Sequence, residues 1–266
     1  MLTSLQNPLV KQIRKLHSSK HRRLDGCFLL EGTHLLQEAA LAQWPLETLF
    51  YTERWQSKES GLLSALQGKV PRCELVSAEV LGAIATTMNP DGVVAVAQSA
   101  PQHSVSIQSL GLVLETLQDP GNVGTMLRTA AAAGVEGVLL SEDSADLESP
   151  KVLRASAGAW FRVATAQCSN VLDQVQHYQS QGFQVVATAP RAALEYWSVD
   201  YTQPTLIVVG NEGAGLSEAL LDASDVQVSI PTSAGVESLN AAVATAVMLY
   251  EAKRQRTRKA AGSTSW

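Results

Sequence analysis

The run Gly210-Asn211-Glu212-Gly213-Ala214-Gly215-Leu216-Ser217 is followed further along the chain by Ile230-Pro231 and by Glu237-Ser238-Leu239-Asn240. These stretches supply a carboxylate, a hydroxyl and an amide among backbone-rich turns, with no His or Cys. Such a set suits an organic cofactor better than a metal ion. Both stretches come directly after short β-branched runs, residues 206–209 and 226–230. The loops therefore belong at the carboxyl ends of buried strands, where open α/β sheets bind ligands. Gly210, Gly213 and Gly215 have no use in a strand or a helix, and their clustering points to a working loop around Glu212.

A third stretch, Gln118-Asp119-Pro120-Gly121-Asn122 through Arg128-Thr129-Ala130-Ala131, reads as a turn after the strand 112–114 that runs into a small-residue helix. Pro120 and Gly121 force the turn, and Asn122 is placed to cap the helix through its side-chain oxygen. Arg128 lies about one and two-thirds helical turns beyond it, so the start of the helix decides whether both reach one pocket. Taken alone, the stretch reads first as an ordinary capped helix with Arg128 in solvent. An inward-facing Arg there would suit a bidentate grip on a phosphate. Near the C-terminus Ser238 is a good helix cap, yet a cap does not account for Asn240 inside the first turn of an otherwise apolar helix. That amide requires a partner. Ala241, Ala242, Ala244 and Ala246 make one side of this helix flat enough to pack against a sheet or a second subunit.

Strand-like runs at 112–114, 137–140, 163–166, 184–187, 206–209 and 226–230 position these residues. They alternate with helical patterns at 123–133, 152–155, 171–181, 217–221 and 238–256. Regular alternation with short connections predicts a mostly parallel sheet with helices on both faces. Upstream, apolar runs at 28–30, 46–51, 73–76 and 93–97 alternate with helical patterns at 33–42, 61–66 and 78–84, which predicts a small α/β unit. The polar segment 99–109 reads as a linker between the two.

Of 266 residues 45% are hydrophobic and 17% charged, as in a globular protein able to bury a core. The net charge of -5 hides local patches. Lys11, Arg14, Lys15, Lys20, Arg22 and Arg23 follow one another without an acid, interleaved with Leu9, Ile13 and Leu16 at helical spacing. This helix reads either as a phosphate-contacting face, through Lys11, Arg14, Lys15, Arg22 and Arg23, or as a merely solvated one. The C-terminal cluster Lys253, Arg254, Arg256, Arg258 and Lys259 reads as a solvated last helical turn. Cys27, Cys73 and Cys168 are odd in number and widely spaced, as reduced thiols of a cytoplasmic protein would be. No signal peptide is visible, and the longest apolar stretch, 239–250, is too short to span a membrane. The chain lacks a GxGxxG turn after the first strand of the second unit, a P-loop and a GxSxG elbow, and its five His residues show no metal-ligand spacing.

In this order and spacing, the three stretches resemble the signature motifs of the SpoU (TrmH) family of RNA ribose 2'-O-methyltransferases, across residues 110–255. More loosely, Phe28-Leu29-Leu30-Glu31-Gly32 and Asn89-Pro90-Asp91-Gly92-Val93-Val94-Ala95 resemble that family's ribosomal-protein-like substrate-binding domain. The resemblance implies an α/β protein whose C-terminal, mostly parallel sheet is knotted (SPOUT-type), an exception to the rule against threading. A small N-terminal α/β RNA-binding domain would precede it. The expected limits are 1–98, a linker at 99–110, 111–259 and a disordered tail at 260–266.

The resemblance further implies that S-adenosylmethionine is held in a bent form and that a homodimer completes the active site. Gly210, Ile230 and Leu239 would contact the cofactor through backbone groups, with Thr188 and Ala189 lining its adenosyl side. Asn122, Arg128, Glu212, Ser238 and Asn240 would form the catalytic and RNA-positioning set. The chemistry is in-line attack of a ribose 2'-hydroxyl on the sulfonium methyl, which needs alignment, proton removal and exclusion of water. Arg128 would either activate the hydroxyl or grip the adjacent phosphate, since a guanidinium is nearly always protonated. A separate N-terminal domain resembles the rRNA-modifying branch more than the minimal tRNA enzymes. A tRNA methyltransferase and a non-catalytic RNA-binding dimer are the competing readings.

Overall fold

The computed structural model describes residues 1–99, 105–234 and 236–262, and the chain divides into two units, Met1–Pro101 with Asp146–Phe161, and Gln102–Ala145 with Arg162–Trp266. The first unit opens with helices α1 (Pro8–Lys15) and α2 (Ser19–Asp25). It continues through β1 (Cys27–Glu31), α3 (Thr33–Leu41), β2 (Leu46–Tyr51), α4 (Glu53–Lys58), α5 (Ser60–Leu66), β3 (Arg72–Leu75), α6 (Ala78–Ile84) and β4 (Val93–Gln98). Its sheet runs β1-β4-β2-β3, with β4 antiparallel to both neighbours and β2 parallel to β3. The apolar stripe of α1, Val10 and Ile13, and the following Leu16 bury against Leu29, Phe50, Val80, Leu81 and Ile84. The helical spacing of Leu9, Ile13 and Leu16 is thus realised as a core face, and the cations are left on the other.

The expected cut after the linker misses one feature. Residues Asp146–Phe161, carrying the helix Pro150–Ser156, belong to the first unit. Trp160 packs its ring 5.2 Å from Phe28 and 4.9 Å from Trp44, so an aromatic cluster built from distant parts of the chain holds the excursion in place.

The second unit contains β5 (Leu110–Leu114), α7 (Pro120–Ala133) and β6 (Gly137–Ser141). After α8, the Pro150–Ser156 helix, come β7 (Ala164–Cys168), α9 (Val171–Ser180), β8 (Gln184–Thr188), β9 (Leu194–Glu195), β10 (Thr205–Val209), α10 (Glu218–Ala223), β11 (Val226–Ser229) and α11 (Ala241–Gly262). The seven strands are parallel in the order β7-β6-β5-β10-β8-β11-β9. β5, β6 and β7 thus run outward in one direction, β8 and β9 lie on the other side, and the last two strands return inward, β10 between β5 and β8 and β11 between β8 and β9. The reversal falls between β5 and β8, with β10 inserted there, and crevices at such switch points bind ligands. β5 and β10 are buried along their whole length, which fits their unbroken apolar runs. The short strand β9 had no readable signal in the sequence. The expected disordered tail is corrected at its start, since Ala260 to Gly262 continue α11; the rest of it, 263–266, and part of the linker, 100–104, lie outside the described residues.

Candidate active site

Two motif helices start elsewhere than the sequence suggested, and the difference builds the site. Asp119, not Asn122, caps α7: its carboxylate accepts from the Gly121 and Asn122 backbone N–H groups, and Pro120 takes the first helical position, where no N–H is needed. Asn122 is therefore inside the first turn with its amide uncommitted to the helix. In α11 the roles of Ser238 and Asn240 are likewise corrected. The helix begins at Ala241, and Asn240 is its cap, with Oδ1 accepting from Ala242 N at 2.9 Å and Val243 N at 3.2 Å.

These two amides meet Glu212 in a single directed chain. Asn240 Nδ2 donates to Asn122 Oδ1 at 3.1 Å, and Asn122 Nδ2 donates to Glu212 Oε1 at 2.9 Å. The three residues come from the end of the β11–α11 connection, the start of α7 and the loop after β10. β5 and β10 are neighbours, so the segments leaving them bring Asn122 and Glu212 together, and α11 packs along α7 to bring Asn240. Every hydrogen bond in the chain points toward the carboxylate. Glu212 Oε2 has no partner among the described residues, which leaves a charged acceptor open for a hydroxyl.

Arg128 and Ser238 stand apart from this chain. On one α-helix, six residues turn Arg128 about 120° away from Asn122 and shift it about 9 Å along the axis. Both Arg128 and Ser238 are exposed, and neither makes a side-chain hydrogen bond among the described residues.

The five residues expected to hold the cofactor lie at or beyond the carboxyl ends of β8, β10 and β11, adjacent parallel strands. Gly210 opens the middle loop. A Cβ there would lie 2.4 Å from Gly215 C, Gly215 O and Leu216 N, so the turn closes over a bare backbone. Asn211 and Gly215 lock it with two reciprocal backbone hydrogen bonds of 3.0 Å. The Thr188 hydroxyl is spent on Val208 O, and Ala189 N on Val228 O. Ile230 is half-buried, while Leu239 remains 37% exposed. Uncharged backbone edges beside apolar surface are what a purine nucleoside needs, so these residues fit an adenosyl group.

In the first unit Lys11, Arg14, Lys15 and Arg23 are exposed, as a phosphate-contacting face requires. Arg22 is corrected: it is 3% exposed, donates to Leu16 O and His17 O, and pairs with Asp146. All its binding capacity faces inward. The C-terminal cations are not merely solvated either. Lys253 donates to Ala132 O, and Arg256, half-buried, donates to Ser109 O and Gln203 O.

Sequence reasoning missed Asp119 as a cap, although Pro at the next position signals it. It also missed Asn211 and Glu115, which bind the Glu212 loop to the end of β5.

Known proteins are similar to this chain over most of its length. The model of the SpoU rRNA Methylase family matches residues 109–250, and that of the MRM3-like substrate binding domain matches residues 7–95. An uncharacterized tRNA/rRNA methyltransferase of Synechocystis is 48% identical, covering 96% of this chain and 94% of its own. The 23S rRNA (guanosine(2553)-2'-O)-methyltransferase RlmP of Bacillus subtilis is 32% identical, covering 94% of this chain and 97% of its own. The crystal structure of the SpoU methyltransferase AviRb from Streptomyces viridochromogenes, in complex with the cofactor AdoMet, superposes with a TM-score of 0.85 at 31% identity, covering 95% of this chain and 99% of that one. The parallel sheet, the three motif loops and these matches lead to one conclusion: this chain belongs to the SpoU rRNA methylase family.

Proposed function

We propose that the chain transfers a methyl group from S-adenosylmethionine to a ribose 2'-hydroxyl of structured RNA, with 23S rRNA as its substrate. The observation that carries this reading is the Asn240–Asn122–Glu212 chain beside an uncharged corner suited to an adenosyl group. The name of RlmP as a 23S rRNA methyltransferase and the match to a substrate-binding domain favour ribosomal RNA over tRNA.

When bound, the cofactor supplies an electrophilic methyl on a sulfonium. The protein must align the 2'-hydroxyl and exclude water. Thr188, Ala189, Gly210, Ile230 and Leu239 hold the adenosyl part. Glu212 Oε2 accepts from the ribose side, and Asn122 and Asn240 fix the carboxylate through hydrogen bonds already paid for in the folded protein. Arg128, exposed and without a partner among the described residues, grips the phosphate next to the target ribose. Lys11, Arg14, Lys15 and Arg23 hold more distant phosphates.

The working form is a homodimer with a knotted C-terminal unit. In support, Val243 and Tyr250, seven residues apart on α11, are 50% and 51% exposed and form an apolar stripe that a second copy would cover. Among the described residues no helix is long and apolar enough to cross a membrane, and the cytoplasm is the compartment that fits an rRNA-modifying enzyme.

Calorimetric titration with S-adenosylhomocysteine tests the reading. Wild type should bind, whereas Gly210→Ala should not, because its methyl group would meet backbone that cannot yield. A folded wild type that binds neither S-adenosylmethionine nor S-adenosylhomocysteine would refute it and favour a non-catalytic RNA-binding dimer.

A further inference from the structure

The Glu212 loop is fastened to the end of β5 at both of its own ends. At its start, Asn211 Nδ2 donates to Thr116 O at 2.8 Å, while Oδ1 accepts from Gly213 N and Ala214 N, each at 2.9 Å. At its finish, the Glu115 carboxylate accepts from Ser217 N at 2.8 Å and from Ser217 Oγ at 2.7 Å. Glu115 and Thr116 begin the short connection that delivers Asn122 at the start of α7. The two segments that place Asn122 and Glu212 are therefore joined twice, independently of the hydrogen bond between those two side chains.

Thr116 shows that this joint is held under tension. Its φ of 56° lies in the left-handed region that a β-branched residue avoids. The conformation is kept by its own contacts: the Thr116 N–H donates to Ser141 Oγ and the hydroxyl to Asp143 Oδ2. In this left-handed conformation Thr116 presents its carbonyl to the Asn211 amide.

We infer that Asn211 and Glu115 form a clasp that sets the separation of Glu212 from Asn122, which makes both of them positioning residues for methyl transfer. The inference rests on the methyltransferase reading above. Asn211 acts through its donor arm. Asn211→Asp keeps the acceptor for Gly213 and Ala214 but opposes the Thr116 carbonyl with a second oxygen. Glu115 acts as a two-point acceptor. Glu115→Gln can still accept from Ser217 N and donate to Ser217 Oγ, whereas Glu115→Ala can do neither.

The experiment pairs hydrogen exchange by mass spectrometry with single-turnover methyl transfer to ribosomal RNA, on wild type, Asn211→Asp, Glu115→Gln and Glu115→Ala. Asn211→Asp and Glu115→Ala should speed exchange in 116–123 and leave β6 and β8 protected. They should slow transfer about a hundredfold, as a misplacement on the ångström scale does, with unchanged affinity for S-adenosylhomocysteine. Glu115→Gln should restore most of the rate. Exchange in 116–123 that Asn211→Asp leaves at the wild-type level overturns the clasp. Equal loss in Glu115→Gln and Glu115→Ala, or loss of cofactor affinity in step with rate, overturns the positioning role. A wild type that transfers no methyl group overturns the methyltransferase reading itself, a failure visible without any variant.

Discussion

Two pairs of charged side chains, Glu31 and Arg22 in the first unit and Glu212 and Arg128 in the second, are used in opposite ways. In the first, Glu31 is buried and fully engaged: it accepts from Thr86 N, Thr86 Oγ1, Thr87 N and Arg154, while Arg22 spends its guanidinium on Asp146 and two backbone carbonyls. In the second, Glu212 is exposed with one oxygen open, and Arg128 has no partner among the described residues. A buried, saturated charge holds a fold together because removing its partner strands it. An exposed, half-used charge adds little stability and remains available to a ligand. The charge type and the flanking sequence do not separate Arg22 from Arg128; only the surroundings do.

Glu31→Ala should break the first unit most severely. It strands Arg154 and leaves the backbone at Thr86 and Thr87 without its acceptor, a loss of about 3–5 kcal/mol by analogy with broken buried pairs, read as a lower urea midpoint. Arg128→Ala should show the converse: about a hundredfold slower single-turnover transfer, equivalent to about 2.7 kcal/mol of barrier, with an unchanged melting temperature. Arg128→Lys measured across pH sharpens the point, since a phosphate clamp predicts weaker RNA binding without a new titration in the rate.

Asn240 belongs to both classes and can be split by substitution. Asn240→Ala should lose about 1 kcal/mol as a cap in addition to activity, whereas Asn240→Ser should keep the cap and lose only the amide donated to Asn122. On the basic face, neutralising Lys11, Arg14 or Lys15 should each lower the salt dependence of RNA binding by about one phosphate contact. The same change at Arg22 should instead unfold the first unit.

The smallest effect concerns pH and has opposite signs in the two units. Burial raises the Glu148 carboxyl above its ordinary value. Its contribution is therefore present at low pH and is lost as pH rises through the raised folded value. Glu148→Gln should accordingly raise the melting temperature at neutral pH and have no advantage below about pH 4. Hydrogen bonds from Ser141 and Thr116 lower Asp143. Its contribution is present above the unfolded value and is lost as pH falls through the folded one, so Asp143→Asn should destabilise at neutral pH and become neutral in acid.

The strands were legible because uninterrupted β-branched runs have few alternatives in a parallel sheet, and β5, β6, β8 and β10 fall within a residue or two of their apolar cores. Helix starts were less legible where two capping residues compete. Asp119 precedes Asn122, and Asn240 follows Ser238, and in each case the proline or the packing of the helix decides. The partner that Asn240 lacked in the sequence is Asn122, brought close by α7 packing against α11. Arg22 could not be read as structural, because Asp146 lies far along the chain, on an excursion anchored by Trp160.

The most direct test of the central claim is transfer of a labelled methyl group from S-adenosylmethionine to ribosomal RNA, mapped at nucleotide resolution, with wild type and with the Glu212→Ala, Asn240→Ala double variant. The account predicts a 2'-O-methyl on a defined ribose of 23S rRNA, absent with the double variant. Label on a base, or a folded, cofactor-bound wild type that leaves every ribose unmodified, would contradict it.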